Sequence, residues 1–138
     1  MAAKKNIKIL DCTLRDGGYY NKWDFNNSTV EKYLMAIRMS SVDVVELGFR
    51  FLPKNTFMGP FAYTTDEFVG QLNLPKGPIY GVMINGKDLI QHKDSVNNLV
   101  GKLFKESKKS PIDLVRIAIN FNNALEAELI VRELKELG

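Results

Sequence analysis

Three ionised side chains, Asp11, Arg15 and Asp16, follow closely after a short apolar segment at residues 7–10. The apolar segment is typical of a β-strand, which the charged residues would then end. In parallel α/β folds, functional sites form at the carboxyl ends of the strands. The position of these charges therefore indicates a candidate site at the end of the first strand.

The chemistry of this segment is specific. The Asp16 carboxylate offers hard oxygen ligands of the kind that Mg²⁺ and Mn²⁺ prefer. The Arg15 guanidinium offers a permanent charge and a planar fork of donors for a carboxylate or a developing oxyanion. Gly17 and Gly18 follow directly, and we expect them to bend the loop so that both side chains reach one ligand. The other interpretation is a surface Asp-Gly turn that carries an incidental arginine.

The longer string from Asp11 to Gly17, Asp-Cys-Thr-Leu-Arg-Asp-Gly, resembles the signature of the DRE-TIM metallolyases. This family includes hydroxymethylglutaryl-CoA lyase, the isopropylmalate and homocitrate synthases, 4-hydroxy-2-oxovalerate aldolase and the pyruvate carboxyltransferase domains. The resemblance implies that Asp16 ligates a divalent metal, Mg²⁺ or Mn²⁺. It also implies that Arg15 steadies the enolate of a pyruvate- or acetyl-like unit.

The sequence departs from the family pattern at two places. In the hydroxy-oxovalerate aldolases a histidine that acts as the base stands three residues after the metal aspartate, and here that position is Tyr19. We therefore predict that Arg15 and Tyr19 are the catalytic residues. The family's His-x-His metal pair lies on a later strand, whereas this chain has one histidine, His92, outside any such motif. Further metal ligands are therefore expected from outside this chain.

The apolar patterning predicts four repeats of a strand followed by a helix. The strands are short, β-branched and nearly continuous in apolar residues, which is typical of a parallel sheet that is covered by helices. Ser28 and Glu31 fit a capping box for the first helix, and Asn122 or Asn123 can cap the last. The predicted strands are residues 7–10, 42–47, 79–84 and 114–119, and the predicted helices are residues 28–40, 65–72, 96–104 and 122–137.

Four βα units predict an α/β fold that forms the first half of a TIM (β/α)₈ barrel, since a complete barrel needs about 250 residues. The resemblance points the same way, because it covers the first four strands of the family's barrel. We therefore interpret residues 1–138 as an incomplete domain, the N-terminal half of an HMGL-like aldolase barrel. A flavodoxin-like doubly wound sheet is the alternative, although no glycine-rich phosphate loop follows the first strand.

Three further polar residues lie at or near predicted strand ends and are candidates for substrate binding. Glu46 and Arg116 each stand within an apolar strand, where an unpaired charge would be costly to bury. They could form a structural ion pair across the barrel interior, or Arg116 could bind a substrate carboxylate. Asn85 ends the third strand, where it could bind substrate or serve as a turn residue.

A long connection, residues 51–63, is rich in aromatic residues and glycine or proline. A loop of this length in a compact domain is usually a binding loop or lid. Its aromatic side chains could equally form a small satellite cluster over a neighbouring helix.

The composition indicates an ordinary globular domain, with 45% hydrophobic and 25% charged residues. A net charge of +3 and lysines without interleaved aromatics argue against a nucleic-acid partner. No apolar run is long enough to cross a membrane. The single cysteine, Cys12, excludes an intrachain disulfide and favours a cytoplasmic location. We expect Cys12 to be a buried small residue rather than a nucleophile.

We therefore predict the N-terminal part of a divalent-metal-dependent aldolase or lyase. It would form or cleave a C–C bond through the enolate of a small 2-oxo acid or acyl substrate. The alternative is a non-catalytic four-unit α/β module that binds a small carboxylic acid. Because half of a barrel leaves two sheet edges open, we expect the chain to pair with the remainder of the same polypeptide or to form a homo-oligomer.

Overall fold

The computed structural model describes residues 6–138 and contains one parallel sheet of four strands. The central two strands are almost entirely buried, whereas the fourth is half-buried at the edge. The strands are β1 (Leu10–Asp11), β2 (Val44–Phe49), β3 (Ile79–Asn85) and β4 (Leu114–Ala118).

Helical segments connect the strands. Two short 3₁₀ segments, Ser107–Lys109 and Phe121–Glu126, flank β4. The α-helices are α1 (Thr13–Asn21), α2 (Asn27–Met39), α3 (Pro60–Tyr63), α4 (Asp66–Val69), α5 (Gly86–Ile90), α6 (Val96–Leu103) and α7 (Ala127–Glu136).

The strands lie side by side in their sequence order, β1-β2-β3-β4, and every pair is parallel. A doubly wound sheet reverses its strand order at a switch point, and this sheet has no such reversal. The flavodoxin-like alternative is therefore wrong. The observed α/β architecture is that of half of a TIM (β/α)₈ barrel, which confirms the predicted fold class.

The two faces of the sheet differ in chemistry. Val45 and Leu47 of β2 belong to the main core cluster, together with apolar residues of α2, α5, α6 and α7. Glu46, between them, projects to the other face, as side chains alternate along a strand. Consequently residues of α2, α5, α6 and α7 cover one face, and Glu46 lies on the opposite, inner face.

The first βα unit differs from the prediction. The strand is shorter and later than residues 7–10, with Ile7 and Ile9 largely exposed at the sheet edge. Gly17 and Gly18 lie inside α1 and do not form a bend. A Cβ atom on Gly18 would lie 1.9 Å from Cδ1 of Trp23, so this glycine is required for close packing.

Two predicted helix caps are also wrong. The helix α2 begins earlier, because the Asn26 side chain accepts a hydrogen bond from the backbone N–H of Thr29 at 2.8 Å and acts as the N-cap instead of Ser28. The last helix begins at Ala127, after the 3₁₀ segment that contains Asn122 and Asn123. Its N-cap residue makes no side-chain hydrogen bond.

Three of the four aromatic residues of the long connection, Phe51, Phe61 and Tyr63, belong to a satellite cluster, one of the two alternatives that the sequence allowed. Phe61 is 1% exposed and packs edge-on against Phe25 and Phe68, with ring centroids 5.6 and 4.9 Å away. Phe51 stacks on Phe49 at 4.3 Å, and Phe57 is exposed. This cluster packs α1 and α3 against the end of β2.

Within residues 6–138, no helix combines the length and apolar character that a membrane crossing requires.

The close packing at Gly48 in β2 generates a testable prediction. At Gly48, where the β2–β3 register shifts, a Cβ atom would lie 2.1 Å from the backbone oxygen of Phe61. We expect Gly48→Ala to lower the free energy of unfolding by about 1–3 kcal/mol, the usual cost of overpacking. Urea denaturation followed by circular dichroism measures this change.

Gly101→Ala is the matched control. Gly101 lies in α6, and its Cβ would meet nothing within 4 Å. Alanine there should raise stability by about 0.5–1 kcal/mol through helix propensity. Equal effects of the two substitutions would contradict the close-packing interpretation.

Candidate active site

A buried carboxylate between two arginines forms the centre of the candidate site. Glu46 on β2 is fully buried. Its Oε1 accepts a hydrogen bond from Nε of Arg15 at 2.6 Å. Its Oε2 lies 3.1 Å from Nη1 of Arg116, outside hydrogen-bond geometry, and accepts no hydrogen bond from residues 6–138. The structure therefore brings together side chains from α1, β2 and β4 on the inner face.

The two arginines differ in exposure. The Arg15 side chain is 14% exposed and its guanidinium lies over the ring of Phe49 at 5.8 Å, whereas the Arg116 side chain is 43% exposed. Burial acts to lower the pKa of Arg15, but the hydrogen bond and charge of Glu46 outweigh it and raise that pKa. Arg15 therefore stays fully charged, and Arg116 has guanidinium surface available for a ligand.

Asp16 adjoins this cluster through Arg15. Its Oδ1 accepts a hydrogen bond from Nη1 of Arg15 at 3.0 Å, and its side chain is 68% exposed. Within residues 6–138, no group of three or more Asp, Glu, His or Cys residues could hold a metal ion. The residues present therefore do not fit a complete Mg²⁺ or Mn²⁺ centre, and Asp16 could contribute only one ligand to such a site.

A cavity of about 730 Å³ opens beside the cluster at the carboxyl ends of the strands. Its lining includes three predicted site residues, Tyr19, Asn85 and Arg116, but neither Arg15 nor Asp16. Tyr19 is 63% exposed and packs edge-on against Trp23 at 4.9 Å. Tyr19 and Arg116 therefore line the cavity, whereas the Arg15–Glu46 pair lies next to Arg116 and outside the lining.

Asn85 acts locally as a turn residue. Its Oδ1 accepts a hydrogen bond from the backbone N–H of Lys87 at 3.2 Å, which caps α5. Its Nδ2 donates to Oδ1 of Asp88 at 3.2 Å. These bonds account for the asparagine at this position, and a role in substrate binding stays a prediction. His92, after α5, is exposed, and its Nδ1 accepts a hydrogen bond from the backbone N–H of Asp94.

Asp11 and Tyr33 have a role that the sequence analysis missed. Asp11 accepts hydrogen bonds from the backbone and hydroxyl of Thr13, at 3.0 and 2.9 Å, and from the Tyr33 hydroxyl at 2.5 Å. Burial, and then the bond to Asp11, raise the pKa of Tyr33 far above its usual value. Asp11 thereby ties the start of α1, and so the backbone that carries Arg15, to α2.

A search of solved structures found a similar chain, described as the N-terminal domain of a putative aldolase from Bacteroides vulgatus. The two share 33% sequence identity at a TM-score of 0.76, over 96% of this chain and 42% of the other. This chain thus spans less than half the length of that structure. No protein-family model and no curated protein matches the sequence. The fold is therefore that of an aldolase N-terminal domain, and the likeness does not distinguish the DRE-TIM family among aldolases.

The buried cluster predicts a strong dependence of stability on the Glu46 charge. Glu46→Gln removes the negative charge that compensates Arg15 and Arg116, and we expect a loss of about 3–5 kcal/mol in unfolding free energy. The change is measured by urea denaturation.

Glu128→Gln provides the control for the same chemical change. Glu128 pairs with Arg132 at 3.2 Å on the exposed surface of α7. Exposed pairs of this kind contribute about 0.3–0.5 kcal/mol. If Glu46→Gln were as mild as Glu128→Gln, the buried cluster would not contribute to stability as described.

Proposed function

We propose that this chain is the N-terminal part of an aldolase or carbon–carbon lyase of the DRE-TIM type, acting on a 2-oxo acid or acyl substrate through an enolate. The supporting observation is the Arg15–Glu46–Arg116 cluster on the inner face of the sheet, beside the cavity at the carboxyl ends of the strands. The Asp11–Gly17 motif and the likeness to an aldolase N-terminal domain support the same proposal. The rest of the barrel would come from the remainder of the polypeptide or from a second copy.

Each arginine has a distinct proposed role. Arg116 borders the cavity and keeps an exposed guanidinium edge, so it would bind the substrate carboxylate in a planar, two-point contact. Arg15 is more buried and would donate a hydrogen bond to the enolate oxygen as negative charge develops on that oxygen. Glu46 would hold both guanidinium groups in position, since its own oxygens face the two arginines.

Two further roles complete the proposal. Tyr19 stands in the cavity wall with an exposed ring and is the proposed proton-transfer group. Asp16 is the proposed metal ligand from this chain, with the other ligands of Mg²⁺ or Mn²⁺ supplied from outside it. Residues 6–138 do not by themselves form a complete site for this metal.

The Arg15 role is tested by exchange of the C3 protons of 2-oxobutyrate with deuterium in D₂O, followed by NMR on the full-length protein. Enolate formation gives exchange without a second substrate. Arg15→Lys should slow exchange by about 10²-fold or more, since an ammonium does not reproduce the guanidinium fork. Arg132→Lys on the exposed surface of α7 should leave the rate unchanged. A wild-type rate in Arg15→Lys would contradict the enolate role.

The Asp16 role is tested in the same assay with and without Mg²⁺ or Mn²⁺. Asp16→Asn should abolish the metal-dependent part of the exchange, because an amide lacks the charge that attracts a divalent ion. Asp113→Asn, an exposed carboxylate before β4, is the control. Metal-stimulated exchange that persists in Asp16→Asn would exclude Asp16 as a ligand.

The non-catalytic module remains the second candidate, because residues 6–138 contain no metal-binding group of three or more side chains. In this function the two arginines would bind a small carboxylic acid without reaction. Saturable binding of 2-oxobutyrate without any C3 exchange, with or without metal, would favour this candidate over the enzyme.

A further inference from the structure

The cavity beside Arg116 has room for more than a three-carbon 2-oxo acid. Its volume of about 730 Å³ lies within the range of about 300–1,000 Å³ that accommodates drug-sized ligands. Binding of a carboxylate at Arg116 would leave most of the cavity free. The chemistry of the remaining lining therefore indicates what the distal part of the substrate carries.

The charged lining of the cavity is positive overall. It contains Lys54, Lys87 and Arg116 but only one carboxylate, Asp88. Asp88 already accepts a hydrogen bond from Nζ of Lys54 at 2.8 Å, and Glu46 is shared between Arg15 and Arg116. Lys87 is exposed and forms no ion pair with any residue in the range 6–138. The cavity thus has one ammonium group whose charge is not balanced by a neighbour.

An aromatic surface also lines the cavity. Phe49 and Phe51 are stacked with ring planes 14° apart, and Trp23 contacts both edge-on at 5.4 and 5.5 Å. Aromatic ring faces favour contact with hydrocarbon. The lining therefore suits a ligand with an apolar body as well as charged groups.

From these observations we infer that the substrate is a dicarboxylate: a 2-oxo acid whose distal end carries a second carboxylate bound by Lys87. The inference rests on the proposed function, since Arg116 binds the first carboxylate. A carboxylate carries one negative charge, which matches one unbalanced ammonium. A phosphate carries about 1.5–2 charges and would be matched less well.

Calorimetric titration of the full-length protein with 2-oxobutyrate, a monoanion, and 2-oxoglutarate, a dianion, tests this inference. The wild type should bind the dianion at least about tenfold more tightly, as expected for a hydrogen bond between charged groups. Lys87→Met should reduce the ratio of the two affinities about tenfold.

Lys76→Met is the matched control. Lys76 is an exposed lysine that precedes β3, whereas Lys87 follows it, so the two flank opposite ends of one strand. Lys76, too, forms no ion pair with the residues that the structure describes. Its substitution removes the same charge and should leave the affinity ratio unchanged.

The outcomes separate the two proposals. A lower ratio in Lys87→Met, but not in Lys76→Met, supports the second-carboxylate site. An unchanged ratio in Lys87→Met, or tighter binding of the phosphonate analogue of 2-oxoglutarate than of 2-oxoglutarate itself, overturns it. A third outcome is that 2-oxobutyrate binds, that Arg116→Met abolishes this binding, and that 2-oxoglutarate binds no more tightly than 2-oxobutyrate. In that case only the second-carboxylate inference fails. If neither 2-oxo acid binds, the proposed function fails as well.

Discussion

A fully buried carboxylate on a central strand is the constraint on which the site depends. Removing one ion from water costs several kcal/mol even after the protein relaxes. Glu46 therefore requires cations, and they come from opposite sides of β2. Arg15 reaches it from α1, and Arg116 reaches it across β3. There β3 places Gly81 in register with Glu46, and a Cβ atom on Gly81 would lie 3.0 Å from Cβ of Leu114 on β4.

The strand order explains why this cluster forms on the inner face. With the order β1-β2-β3-β4, the helices α2, α5, α6 and α7 contribute to one core, which covers the apolar residues of β2 and β3 on one face. Charged residues at alternate positions must then project to the other face. Because the strands are parallel, their carboxyl ends meet at one edge, where Arg116 and the end of β3 line a common cavity. Topology alone thus concentrates polar chemistry at this end of the sheet.

Much of this arrangement follows from local sequence. The apolar, β-branched segments identified β2, β3 and β4 to within two residues at each end. Because a charge within an apolar strand must be compensated, an ion pair between Glu46 and Arg116 was one of the two alternatives for these residues, and the two side chains lie 3.1 Å apart. The strand order could not be read in this way, since four βα units are compatible with both a barrel and a doubly wound sheet. The sequential order, seen only in the structure, decides between them.

The details that position Arg15 depend on tertiary contacts and so could not be predicted from the motif. Adjacent glycines normally indicate a turn, yet Gly18 lies within α1, where the Trp23 ring occupies the space that a side chain would need. Lys22 and Trp23 both have a φ of 59°, so the chain turns sharply at the end of α1 and places the Trp23 ring against Gly18. Nε1 of Trp23 donates a hydrogen bond to the backbone oxygen of Arg15 at 2.8 Å, and its ring packs against Phe49. The aromatic cluster therefore fixes the turn of helix from which Arg15 reaches Glu46. The same charged motif without this tryptophan would lack that support, so the geometry of the site is set largely by packing outside the motif.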